Sequence, residues 1–132
     1  MYLFVYGTLQ RELDTDMSRF LVANSKTVAK GYILGKLYKI SWFPGAILTD
    51  DSSCKVYGTV FKLKDNAAIF DVLDAYEGCN TNTPNASLFI RQRTTVFLEN
   101  NNTLTSWVYL YNQNIANSEQ ITSGDFLKYS TS

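Results

Sequence analysis

The chain has 132 residues, 45% hydrophobic and 14% aromatic, which reads as a single domain over 1–132 that buries roughly two-thirds of its unfolded surface. Twelve basic and twelve acidic residues cancel, so there is no field to draw in nucleic acid or an anionic membrane, and neither is expected as a partner. Histidine is absent, which excludes Ser–His and Cys–His nucleophile pairs and most zinc sites. Acid–base chemistry near neutral pH is left to a shifted carboxylate, lysine, tyrosine or cysteine.

Tyr2–Tyr6 is aromatic and aliphatic without a charge, the pattern of a strand buried on both faces. It runs into Gly7-Thr8-Leu9. A glycine there permits a sharp turn and a close approach to the main chain. The N–H groups of Gly7, Thr8 and Leu9 then have the chance to converge on one anion or oxyanion. An ordinary strand end with a glycine turn fits the same residues. No apolar run has the length of a membrane span and no signal peptide precedes Tyr2, so a cytoplasmic protein is expected.

Leu13, Met17, Phe20 and Leu21 fall at helical spacing, with Asp14 or Thr15 as cap and an end near Asn24. Val28–Ile40 alternates as a strand, and Gly31 and Gly35 within it suggest bulges or tight bends of a strongly curved sheet. Phe43-Pro44-Gly45 is a turn before the apolar run Ala46–Leu48, and Asp50–Ser53 is a polar turn before the strand Lys55–Leu63. Cys54 and Cys79 are far apart and lack CxxC spacing, which reads as free thiols of a reducing cytosol.

A second helix over Asn66–Tyr76, capped by Asp65 or Asn66, carries the stripe Ile69, Val72, Leu73 and Tyr76 and stops at Gly78. Cys79–Ser87, with Pro84, reads as an exposed loop. Leu88–Leu98 and Thr103–Tyr111 form a hairpin about Glu99–Asn102. Trp107, Tyr109 and Tyr111 share one face of its second strand, Val108 and Leu110 the other. In the polar tail, Ile121 and Phe126 are anchors around Ser123-Gly124-Asp125. The sum is an α+β domain: a mostly antiparallel curved sheet or small β-barrel with flanking short helices.

Asp71, Asp74 and Glu77 fall in the last two turns of the second helix, against the macrodipole, which disfavours anions at a helix C-terminus by roughly 0.3–1 kcal/mol. Asp71 and Asp74 read as surface groups or partners for Lys or Arg. Glu77 stands between Tyr76 and Gly78, where the chain turns and the glycine leaves room for a ligand. Dipole and burial both raise its pKa there.

Val5-Tyr6-Gly7-Thr8-Leu9 followed by Leu73-Asp74-Ala75-Tyr76-Glu77-Gly78 resembles the γ-glutamylcyclotransferase-like family, with its AIG2-like and γ-glutamylamine cyclotransferase branches. Gly35–Tyr38, Phe43–Ala46, Val56–Val60 and Ser123–Phe126 look like further blocks of that family, in the same order. The resemblance implies a small β-barrel whose cavity is floored by Tyr6, Gly7, Thr8 and Leu9 as substrate-binding residues. It implies Glu77 as the acid–base residue, a small γ-glutamyl substrate, and no metal or cofactor. In that family the α-amine of a γ-glutamyl group attacks its own γ-carbonyl, giving 5-oxoproline and a released amine or amino acid.

Two positions depart from the pattern. Phe89 stands where members often carry tyrosine, and Gln10-Arg11-Glu12 lacks the glycine that often closes the first motif. Both bear on substrate identity. Arg91 and Arg93 alternate on a strand, where they read as surface charge or as carboxylate binders. Two other readings stand beside the enzyme: a non-catalytic small-molecule-binding or interaction domain on the same barrel, and a nucleic-acid barrel stacking bases on the aromatics of Thr105–Tyr111.

Overall fold

The computed structural model describes residues 1–7, 16–80 and 82–130. Strand β1 (Tyr2–Val5) forms at the start of the chain as expected. Its residues alternate between two apolar layers. Phe4, and Tyr6 beyond the strand, pack with Ile33, Val60 and Val108, while Leu3 and Val5 pack with Leu21, Phe61 and Leu73. A strand with no solvent face has no position for a polar residue, which accounts for its sequence.

The other strands are β2 (Ser25–Lys39), β3 (Pro44–Leu48), β4 (Lys55–Leu63), β5 (Phe89–Leu98), β6 (Thr103–Tyr111) and β7 (Glu119–Gln120). They run in the order β3-β2-β4-β1-β6-β5, and β5 returns to β2 through Gly31↔Leu98 and Tyr32↔Phe97. Five strands therefore close a barrel, removing the open edges that a sheet of this size exposes. The last part of β2 leaves the ring and pairs with β3 and β7. The pairing is antiparallel except between β1 and β6, which run parallel through Leu3↔Trp107 and Phe4↔Val108.

The glycines of β2 do not mark bulges. Its register shift falls between Thr27 and Ala29 instead. Glycine is needed where another backbone passes close: a Cβ at Gly58 in β4 would stand 2.3 Å from the Val5 carbonyl oxygen. Small residues let the inner face of a narrow barrel close.

Helix α1 (Asp16–Ala23) buries Leu21 and Ser18. The candidate caps Asp14 and Thr15 lie outside the described residues. Helix α2 (Ala68–Glu77) begins with the Asn66 side chain accepting the Ala68 N–H at 3.0 Å. Its buried face is Ile69, Phe70 and Leu73, whereas Val72 and Tyr76 are exposed. The stripe is rotated from the expected one because Phe70 packs on Trp107, ring centroids 6.0 Å apart.

Gly78 ends α2 in the left-handed conformation (φ 64°), and the Gly78 and Cys79 N–H groups bond back to Ala75 and Asp74. This is the backbone that glycine adopts at least cost. The loop after it contains a 3₁₀ turn (Pro84–Ala86) and buries Ser87. A short α3 (Phe126–Ser130) closes the described chain, with Ile121 and Phe126 buried as expected. Among the described residues no helix is long and apolar enough to cross a membrane.

Candidate active site

Where β1 ends and α2 ends, the two layers open into a cavity of about 190 Å³. Tyr6 and Gly7 line it from the strand side and Glu77 from the helix side, so the two stretches the sequence singled out do meet. Thr8 and Leu9 lie outside the described residues.

Tyr6 is buried, and its hydroxyl donates to the Tyr109 carbonyl at 2.6 Å while accepting the Ala46 N–H at 3.1 Å. Burial, and secondly the charge of Glu77, raise its pKa and keep the phenol neutral. The hydroxyl proton is spent on the scaffold, so Tyr6 offers the cavity its ring. Gly7 does not use a left-handed backbone. A Cβ there would press on the Pro44 ring at 3.0 Å, so close packing is one reason for the glycine. The Gly7 N–H takes no part in the turn, cap and loop hydrogen bonds among the described residues.

Glu77 is half-buried as a residue, but its carboxyl is enclosed in the cavity. No hydrogen bond or ion pair engages that carboxyl among the described residues. Burial first, and then the negative charge of Asp74 on the same helix face, push its pKa up to about 7. A carboxyl poised there can both accept and return a proton at neutral pH.

Asp74 lies one turn earlier, and of the two roles expected for it, surface group or partner for Lys or Arg, the second is the one observed. Its carboxylate accepts Arg91 Nε at 2.9 Å, Arg91 Nη2 at 3.2 Å and the Tyr109 hydroxyl at 2.6 Å. The side chains of Arg91 and Asp74 are only 19% and 15% exposed. The guanidinium also lies over Phe70 and Trp107, 4.0 and 4.6 Å from the ring centroids. Arg91 is therefore neither loose surface charge nor a free carboxylate binder. Arg93 is exposed, its guanidinium 4.7 Å from the Trp107 ring centroid.

The space beside Gly78 is not left for a ligand, since a Cβ there would meet Leu88 Cβ at 3.2 Å. The aromatics of β6 are no stacking platform either. Tyr109 is buried beneath α2, and Trp107 packs against Phe70. Asp71 falls in the first turn of α2, where the macrodipole favours it, not in the last. Both cysteines are free. Among the described residues no three His, Cys, Asp or Glu side chains group to hold a metal ion.

Sequence reasoning gave no role to Trp42, Phe43 and Leu88, which line the same cavity. The block Phe43–Ala46 is the one signal for Phe43, and Trp42 and Leu88 have none. The Asp74–Arg91–Tyr109 cluster had none, because it joins residues that only the docking of α2 on the hairpin brings together.

The fold is thus a closed five-stranded barrel whose cavity brings the enclosed Glu77 carboxyl and Gly7 together. The model of the gamma-glutamyl cyclotransferase, AIG2-like family matches residues 3–128, and the chain belongs to that family. No curated protein matches the chain.

Among solved structures, YkqA from Bacillus subtilis is 21% identical with a TM-score of 0.73, over 98% of this chain and 40% of that one. This chain thus spans well under half the length of that protein. Protein ytfP from Escherichia coli is 22% identical with a TM-score of 0.65, over 98% and 99% of the two chains. An AIG2-like protein from Mus musculus is 18% identical with a TM-score of 0.63, over 83% and 75%. Likeness at these identities speaks for the fold.

Proposed function

We propose that this chain is a γ-glutamyl cyclotransferase-type enzyme, with Glu77 as its general acid and base and Tyr6, Gly7, Thr8 and Leu9 around the γ-glutamyl group. The observation that carries the reading is the enclosed Glu77 carboxyl, unpartnered among the described residues, in one cavity with Gly7. A carboxylate without a partner is costly to bury. Its cost is offset if the site exists to receive a substrate ammonium.

The α-amine of the substrate is an ammonium at neutral pH and must lose a proton before it attacks. Glu77 takes that proton. The nitrogen then bonds to the γ-carbonyl carbon, closing a five-membered ring whose ends are already tethered, so little further entropy is lost. The oxyanion that develops is assigned to the main-chain N–H groups of Gly7, Thr8 and Leu9. As the bond to the leaving nitrogen breaks, Glu77 returns the proton to it, and the second proton of the ring nitrogen passes to the departing amine, which leaves as an ammonium. The products are 5-oxoproline and the amine or amino acid. These steps draw on no metal or cofactor. The family match over residues 3–128 supports a single domain over 1–132, and free Cys54 and Cys79 fit a reducing cytosol.

The test is a panel of γ-glutamyl amines and amino acids, with 5-oxoproline read by mass. Glu77→Gln keeps the shape but not the proton, so release should fall about 10²–10⁴-fold with binding largely kept. Gly7→Val, pressing on Pro44 and narrowing the floor, should abolish turnover while the protein still folds. If no γ-glutamyl compound is turned over but one binds, the chain is a small-molecule-binding domain on the same barrel.

A further inference from the structure

The cavity has an apolar mouth. Of the eight large apolar side chains exposed among the described residues, three, Trp42, Tyr76 and Leu88, line this one cavity. Trp42 is 69% exposed. Its ring stands edge-on to Phe43, centroids 5.1 Å apart, and Phe43 packs in turn on Phe89 at 5.9 Å. Exposed apolar surface gathered at a cavity rather than scattered singly marks a place where something apolar is covered.

Charge points the same way. Glu77 is the one charged residue among the described lining residues. The guanidinium of Arg91 is spent on Asp74, and the Asp74 carboxylate on Arg91 and Tyr109. A leaving group with a carboxylate would find no cation among the described lining residues, and one with a second ammonium would compete for Glu77 with the reacting amine.

We infer that the amine released from the γ-glutamyl group carries a neutral, apolar and preferably aromatic substituent, seated against Trp42, Phe43 and Leu88. This rests on the cyclisation proposed above. The nitrogen that leaves must lie within proton reach of Glu77, so its substituent extends toward the mouth. The acyl bond to that nitrogen breaks as the ring forms, and the nitrogen departs with the proton Glu77 held.

Four amides test it: γ-glutamyl-phenethylamide, γ-glutamyl-methylamide, γ-glutamyl-glutamate and mono-γ-glutamyl-putrescine. Their kcat/KM values are measured by 5-oxoproline release. The phenethylamide should exceed the methylamide by about tenfold or more, the scale on which hydrophobic pockets discriminate, and should exceed both charged amides. Trp42→Ala should shrink the phenethylamide-to-methylamide ratio about tenfold, and Leu88→Ser should shrink it less. A charged amide equal to or better than the phenethylamide, or a ratio unmoved by Trp42→Ala, overturns the inference.

A second arm does not depend on turnover. N-phenethylacetamide titrated into the unsubstituted protein should shift the Trp42 indole N–H signal, assigned by its loss in Trp42→Ala, and N-acetylputrescine should not. If no amide gives 5-oxoproline, the cyclisation fails and this arm alone decides the mouth. Absence of the shift then overturns the inference as well.

Discussion

Asp74 and Glu77 stand three residues apart near the C-terminal end of α2, under the same unfavourable macrodipole, and meet opposite fates. Asp74 is held by a two-point pair with Arg91 and by the Tyr109 hydroxyl. Glu77 has none of this and ionises only near pH 7. The helix end is common to both, so the macrodipole does not separate them. What separates them is whether β5 and β6 supply donors. Asp74 faces the hairpin and ties α2 to the barrel. Glu77 faces the gap where β1 ends, and Asp74's charge adds to its reluctance to ionise. The paired carboxylate thus serves structure and helps tune the unpaired one.

The comparison can be broken most forcefully at Glu77. Its pKa is about 7 in the folded chain against an ordinary 4.5. Below pH 4.5 both states hold the proton and nothing is lost. As pH rises to 7 the unfolded chain gains by ionising and the folded one does not, which costs roughly 3 kcal/mol of stability. Glu77→Gln removes this dependence. Its stability relative to the unsubstituted protein should rise by about that amount between pH 4 and pH 8, as read by urea unfolding at both pH values. A constant difference would mean that Glu77 ionises normally.

Asp74→Asn cuts the other way. It leaves the Arg91 guanidinium without its counter-charge, though still covered by Phe70 and Trp107. A full buried pair would lose more, so about 1–3 kcal/mol of destabilisation is expected for this partly buried one. The same change removes a negative neighbour from Glu77, so the acid limb of activity should move to lower pH. Asp71, exposed in the first turn of α2, completes the series. Asp71→Asn should cost at most about 0.5 kcal/mol and leave the pH profile where it was.

The parts of the molecule legible in the sequence were those written in local pattern. β1 shows its double burial in an unbroken apolar run, and Gly78 shows the end of α2 because the left-handed turn asks for glycine. The alternation in β6 placed Tyr109 opposite Val108 and Leu110 correctly, yet it gave no sign of what would cover each face. Once α2 lies over Trp107 and Tyr109, a face that looked like an exposed stacking surface becomes interior. The glycines of β2 mark the curved sheet but not a bulge, for a similar reason: closeness of a neighbouring strand and a break in register leave the same letter. Asp74 reads from the sequence as a surface group or as a partner for some Lys or Arg, and the choice is not legible there because its partners are 17 and 35 residues away. Glu77 was legible as a residue breaking a local rule, but burial, not the helix end, is the first cause of its raised pKa.

The measurement that bears most directly on the account is the pH dependence of kcat/KM for 5-oxoproline release from the best γ-glutamyl amide, for the unsubstituted protein and Glu77→Gln side by side. The account predicts a rate that climbs through pH 7 as Glu77 becomes the base, and a Gln variant slower by about 10²–10⁴-fold with that limb gone. A Gln variant that turns over at the unsubstituted rate, with the same limb, would contradict it.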